Sequence, residues 1–162
     1  MFIIREIIKS DNEFIAEIIR KVMPEFNCVG EGFSINDPEV DTMFEAYTNN
    51  DRKFYVIARQ SDNKILGCGG FAPLPGGAHP EICELQKMYF YSELRGFGMG
   101  RKLLEKCIEE AQNLNYKKMY LETVTQMTDA AKLYTKMGFK YIPEQMGSTG
   151  HGGCDRFMLR DL

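Results

Sequence analysis

The residues with the clearest chemical potential form one short string, Arg95-Gly96-Phe97-Gly98-Met99-Gly100-Arg101. It follows an apolar run that reads as a strand and passes directly into a helical pattern. Glycines at alternate positions let a backbone approach a ligand with no Cβ in the way. A helix start adds unpaired N–H groups and a partial positive charge. Strand, glycine turn and helix together make a seat for an anion, phosphate above all. Two phosphate patterns are excluded. Gly-Lys-Ser/Thr occurs nowhere in the chain. GxGxxG fails because Arg101 and Leu103 stand where its third glycine is required, which argues against a Rossmann-type nucleotide module. What fits is Arg-x-x-Gly-x-Gly, Arg95 to Gly100. A second polar string, His151-Gly152-Gly153-Cys154-Asp155, has the spacing of half a metal site. His79 is the only other histidine and no second pair completes the site, so no metal is expected.

The elements that must position these strings can be read from their periods. Phe2 to Ile8 reads as a strand. Ser10-Asp11-Asn12-Glu13 has the form of a capping box, followed by Phe14, Ile15, Ile18, Ile19, Val22 and Met23 on one helical face, with Pro24 closing the helix. Asp37-Pro38 suggests a second helix start, with Val40, Met43, Phe44 and Tyr47 at helical spacing. The period then changes. Lys53 to Arg59 and Ile65 to Phe71 read as a hairpin, and Glu81 to Phe90 as a longer strand after a Pro/Gly loop. Met99 to Ala111 is helical, Lys118 to Thr123 a strand, and Thr128 to Met137 a helix ended by Gly138. Lys140 to Pro143 and Arg156 to Leu159 are the last strands, around a glycine-rich loop. Helices alternate with strands in the second half only. That predicts an α/β fold, a mixed central sheet with helices on both faces.

Composition narrows the classes further. The chain has 162 residues, one domain's worth, 44% hydrophobic and 27% charged, which excludes disordered and fibrous classes. A formal net charge of -3 argues against nucleic acid as a partner. The apolar runs are too short to span a membrane, and the N-terminus lacks a secretory pattern. Five cysteines without a CxxC pair argue against a disulfide framework and for a reducing cytoplasm.

Three segments carry a resemblance. Glu84-Leu85-Gln86-Lys87-Met88-Tyr89-Phe90, then Arg95 to Gly100, then Ala130-x-x-Leu133-Tyr134-x-x-x-Gly138-Phe139 resemble the GNAT superfamily of acyl-CoA-dependent N-acetyltransferases. The stretch from Glu84 to Phe139 is about a third of the chain, and the order of the remaining elements agrees with that fold. The resemblance implies a mostly antiparallel sheet and transfer of an acetyl group from acetyl-CoA to a primary amine by direct attack in a ternary complex. It implies that the cofactor's pyrophosphate rests on the Arg95–Arg101 turn, through the backbone of Gly96, Gly98, Met99, Gly100 and Arg101 with Phe97 between. It implies that the pantetheine arm pairs with the strand at Met88, Tyr89 and Phe90, where that strand splays from Lys118–Thr123. Tyr134 corresponds to the tyrosine that protonates the departing thiolate. Glu84, six residues before Phe90, corresponds to a base in some branches, and as a strand carboxylate it could equally pair with a neighbouring cation. Strict alternation would put Glu84 on the face of Gln86, Met88 and Phe90. Met127 stands where many members have a cofactor-contacting Asn, and Ser92 where a Pro is frequent.

The loop from Gln145 to Asp155 follows the cofactor motifs and is expected to line the acceptor side, with His151, Cys154 and Asp155 as the binding residues. The expected partner is an amine acceptor, small molecule or protein, with self-association into a homodimer left open. The alternative is a non-catalytic CoA-sensing or interaction domain; the presence of both Tyr134 and Glu84 favours the enzyme.

Overall fold

A computed structural model describes residues 1–162. The apolar runs form seven strands: β1 (Phe2–Glu6), β2 (Lys53–Arg59), β3 (Ile65–Pro73), β4 (Ile82–Phe90), β5 (Lys118–Thr123), β6 (Lys140–Ile142) and β7 (Arg156–Asp161). They make one sheet in the order β1-β2-β3-β4-β5-β7-β6. Only β4 and β5 are parallel; the other pairs are antiparallel. A parallel neighbour cannot be reached through a hairpin, so the chain crosses over through α3 (Met99–Asn113). Met99, Leu103, Leu104, Cys107 and Ala111 recur at helical spacing and are buried against one face of the sheet, beside Tyr134 of α4 (Thr128–Lys136). Ile15, Ile18 and Ile19 of α1 (Asn12–Val22) and Met43 of the short α2 (Met43–Ala46) are buried against the other face. The mixed, mostly antiparallel sheet with helices on both faces is the expected architecture.

Two irregularities of β4 shape its surroundings. Its pairing with β5 covers only Ile82–Glu84 against Lys118–Tyr120, so from Leu85 onward that edge is open. On its other edge, Gln86 pairs with Gly70 and Tyr89 with Cys68. Lys87 and Met88 therefore both oppose Gly69, which is a β-bulge, and Lys87 has a φ of 50°. A Cβ at Gly69 would sit 3.2 Å from the Met88 Cα, so a glycine there lets the bulged strand come close. The bulge inverts the alternation of side chains. Cys83 and Leu85 pack on the α3 side before it, and Met88 and Phe90 pack on that same side after it. Glu84 and Gln86 face α1 and α2 instead, where the Tyr47 hydroxyl donates to Gln86 Oε1. The expectation that Glu84 shares a face with Met88 and Phe90 is thus overturned.

The two expected helix starts also differ. The Ser10–Glu13 box is not used. A 3₁₀ turn, Lys9–Asp11, precedes α1, and buried Asp11 accepts the Ile8 N–H at 2.9 Å and two bonds from Arg5 at 2.7 and 2.9 Å. Asp37 opens a 3₁₀ turn, Pro38–Asp41, rather than an α-helix, and its carboxylate does not cap that turn because it is committed to Lys87 and His151, far along the chain.

Candidate active site

The glycine turn links β4 to α3. Gly96 and Gly98 have φ of 85° and 72°, a region that favours glycine, and a Cβ built on either would meet nothing within 4 Å. Gly98 is the N-cap of α3 and no side chain caps the helix, so its first N–H groups remain available. The turn forms one end of a cleft of about 530 Å³. Arg95, Gly96, Gly98, Met99, Gly100 and Arg101 line that end; Met88, Tyr89 and Phe90 line the β4 wall; Met127 and Tyr134 line the opposite wall. Phe97 is not among the lining residues. Its ring is exposed and packs edge-on against Phe2 at 5.3 Å. The Arg95 guanidinium is engaged with Glu25 at 2.7 Å and with the Phe90 carbonyl at 2.9 Å, which ties the turn to the end of β4. Arg101 pairs with Glu105 on the helix surface.

The open edge of β4 faces this cleft. The Tyr91 N–H donates to the Leu66 carbonyl of β3. Alternation then turns the Met88 and Phe90 N–H groups to the opposite edge, which β5 has left unpaired. Tyr134 is 7% exposed, with its ring 5.9 Å from Phe139. Burial, and then the neighbouring Cys107, hold its hydroxyl above the ordinary tyrosine range, so it keeps its proton at neutral pH.

A second, smaller cavity of about 50 Å³ lies on the α1 side of β4. Tyr89 and Met127 line both cavities and form the wall between them. Glu84 lies here, 3% exposed. Its Oε1 accepts from Gln86 Nε2 at 2.7 Å, while its Oε2 is buried with no partner. Burial pushes the Glu84 carboxyl up to about 7; the Gln86 bond opposes this and the charge of Glu122 adds to it. Glu122 enters from β5. Its Oε1 accepts from Tyr120 Oη at 2.8 Å, Gln145 Nε2 at 2.9 Å and Thr149 Oγ1 at 2.9 Å, and its Oε2 is also buried and unpartnered. His151 comes from the glycine-rich loop. Its Nε2 lies 3.0 Å from Asp37 Oδ2 and its Nδ1 3.8 Å from Glu122 Oε2. Burial works against the His151 charge, but the bond and charge of Asp37 outweigh it and raise the pKa above the ordinary histidine value. Lys87 reaches Asp37 and Glu39, each at 2.8 Å, with its side chain 2% exposed. Burial would raise Asp37, but His151 and Lys87 together hold its carboxylate below the usual range.

Of the loop residues, Cys154 lines this cavity and Asp155 does not. Burial, then Glu122, push the Cys154 thiol up to about 12, so it stays protonated and is a poor nucleophile. Asp155 is turned away, its oxygens 2.9 and 2.7 Å from the Thr125 N–H and hydroxyl, which pins the start of β7 to the turn after β5.

The GNAT acetyltransferase family model matches residues 14–139, most of the chain. The chain belongs to the GNAT family. It is 36% identical over 161 residues to an uncharacterized N-acetyltransferase of Escherichia coli (strain K12), YjgM, covering 99% of this chain and 95% of that one. Its fold is similar to the crystal structure of a GNAT-family acetyltransferase from Staphylococcus aureus Mu50, with a TM-score of 0.85, 24% identity and 100% and 99% of the two chains covered. It is also similar to a ribosomal-protein-alanine N-acetyltransferase from Brucella melitensis, with a TM-score of 0.77, 23% identity and 99% of each chain covered.

Sequence reasoning misses two residues that line this GNAT chain's inner cavity, Lys87 and Glu122, and the two carboxylates that hold Lys87, Asp37 and Glu39. In the sequence Asp37 has the form of a helix cap and Lys87 is one link in the strand motif. No local signal could join them, because Lys87 and Asp37 are 50 residues apart and His151 and Asp37 are 114 apart. No helix is long and apolar enough to cross a membrane.

Proposed function

We propose that this N-acetyltransferase moves the acetyl group of acetyl-CoA to a primary amine by direct attack in a ternary complex. The observation that carries the reading is the pairing of two cavities across one wall. One is long and ends at an uncapped helix start. The other is small and holds a carboxyl tuned to about 7. The turn suits a diphosphate, since its left-handed glycines leave their Cβ positions open and α3 presents free N–H groups. In this reading the amides of Gly96, Gly98, Met99, Gly100 and Arg101 hold the phosphates. The Met88 and Phe90 N–H groups pair with the pantetheine amides and polarise the thioester carbonyl. Tyr134, still protonated, donates to the leaving thiolate. An amine is mostly protonated at neutral pH and must lose a proton before it can attack. Glu84 is half-ionised near pH 7 and is suited to accept that proton. His151 and Cys154 border the acceptor. The five cysteines are all free thiols, which supports a reducing compartment such as the cytoplasm.

The test is a panel of amines with acetyl-CoA, followed by release of free thiol, alongside calorimetry of acetyl-CoA binding. Binding and amine-dependent thiol release are expected. A folded protein that binds no acetyl-CoA overturns the reading.

A further inference from the structure

The charges around the inner cavity do not cancel. Four carboxyl groups, Asp37, Glu39, Glu84 and Glu122, meet only two basic side chains, Lys87 between Asp37 and Glu39 and His151 between Asp37 and Glu122. Glu84 has no ion-pair partner and Glu122 has only His151 Nδ1, 3.8 Å from its Oε2; both residues line the cavity, and each has one buried oxygen without a hydrogen-bond partner. Two carboxylate oxygens with no donor are costly in a folded core unless something completes them. The group that completes them must be cationic and must donate hydrogen bonds. It must also be small. A cavity of about 50 Å³ holds only a few waters, at roughly 10–15 Å³ each.

We infer that this cavity is a seat for an unbranched primary ammonium, with Glu122 as the residue that anchors it opposite Glu84. The inference rests on the acetyltransferase reading above and narrows its acceptor to one class: aliphatic amines whose nitrogen stands on a CH₂. The two carboxylates divide their work by their partners. Three donors converge on Glu122 Oε1 and hold the side chain in place, leaving Oε2 as the acceptor for the ammonium. Glu84 has a single donor, Gln86, and is free to change its protonation. The ammonium donates one N–H to Glu122 and transfers one proton to the Glu84 carboxylate, which becomes a carboxylic acid. The nitrogen keeps the electron pair of that bond as its lone pair. The wall of Tyr89 and Met127 sets this nitrogen beside the larger cleft. An α-amino acid is excluded on two counts. Its own carboxylate would face Glu84 and Glu122, and in every case but glycine its nitrogen stands on a branched carbon.

The experiment needs no identified acceptor. Protein labelled with ¹³C at the glutamate carboxyl is titrated with methylammonium chloride, with tetramethylammonium chloride holding the ionic strength constant. Saturable shifts of the Glu84 and Glu122 signals are expected in the wild type. Glu122→Gln should weaken methylammonium binding by about tenfold or more, the loss expected for a hydrogen bond to a charged group. It should also lower the pH midpoint of Glu84, since the charges facing it are Glu122, His151 and Lys87 and one like charge is removed. An uncharged Glu122 would leave that midpoint in place, and a charged Glu122 that binds no ammonium would move it without weakening methylammonium binding. A wild-type comparison guards against a variant that does not fold: n-propylammonium should bind about tenfold tighter than isopropylammonium. No saturable shift in the wild type, or equal binding of the two propyl isomers, overturns the inference. Loss of acetyl-CoA binding alone would overturn the acetyltransferase reading and leave the methylammonium titration unaffected.

Discussion

Glu84→Gln offers a test of the inner cavity by stability alone. Burial holds the Glu84 carboxyl at about 7 in the fold against an ordinary value of 4.5. Between those values the native state binds a proton that the unfolded chain has lost, so stability falls as pH rises. The stabilising effect of the neutral acid is fully present below pH 4.5 and gone above pH 7. The shift corresponds to about 3 kcal/mol at ~1.4 kcal/mol per pH unit. That figure is an upper bound on the difference between the two proteins, because Glu84 is also one of the charges that raise His151. Glutamine keeps the shape and an oxygen for Gln86 but carries no charge. Urea denaturation of both proteins should therefore show wild-type stability dropping by up to about 3 kcal/mol more than the variant's between pH 5 and pH 8.5. The variant should be the more stable protein at the alkaline end. Parallel stability curves across that range would refute the reasoning, since they would mean that Glu84 titrates alike in folded and unfolded chains. If Glu84 is also the base, the same variant loses the ionisation in kcat/KM and recovers toward high pH as free amine accumulates.

Other perturbations reach separate parts of the fold. Gly98→Val puts a branched side chain at a φ of 72°, pointing into open cleft, so acetyl-CoA binding should vanish at a cost of about 1–2 kcal/mol in stability; calorimetry with unchanged affinity in a folded variant sinks the phosphate role of the turn. Tyr134→Phe should keep the acetyl-CoA Kd and lower kcat by ~10²–10⁴, and a kcat within a few-fold of wild type would mean that the thiolate leaves unaided. Lys87→Met removes the cation buried between Asp37 and Glu39 and should cost about 3–5 kcal/mol in chemical denaturation; a loss under about 1 kcal/mol would show that the pair is well solvated.

The order of strands and helices and the glycine turn are legible in the sequence because both are written in neighbouring residues. Apolar period, helix-stopping glycine and left-handed turn positions act over a few residues, and a reader of the chain sees them whole. Arg95 to Gly100 and the Leu133–Phe139 pattern can therefore be placed at the strand–helix junction and on α4 from the sequence alone. Asp155 and Phe97 show the limit of such reading, since both lie in correctly identified loops and point elsewhere. Only the tertiary structure decided which face Glu84 occupies. Alternation along β4 is a local rule, but the bulge at Lys87 is set by two residues opposing Gly69 on another strand, and one extra residue inverts every side chain beyond it. The same holds for the inner cavity. Its carboxylates, lysine and histidine come from four separate segments, and their charges act on one another only where the fold removes the water between them.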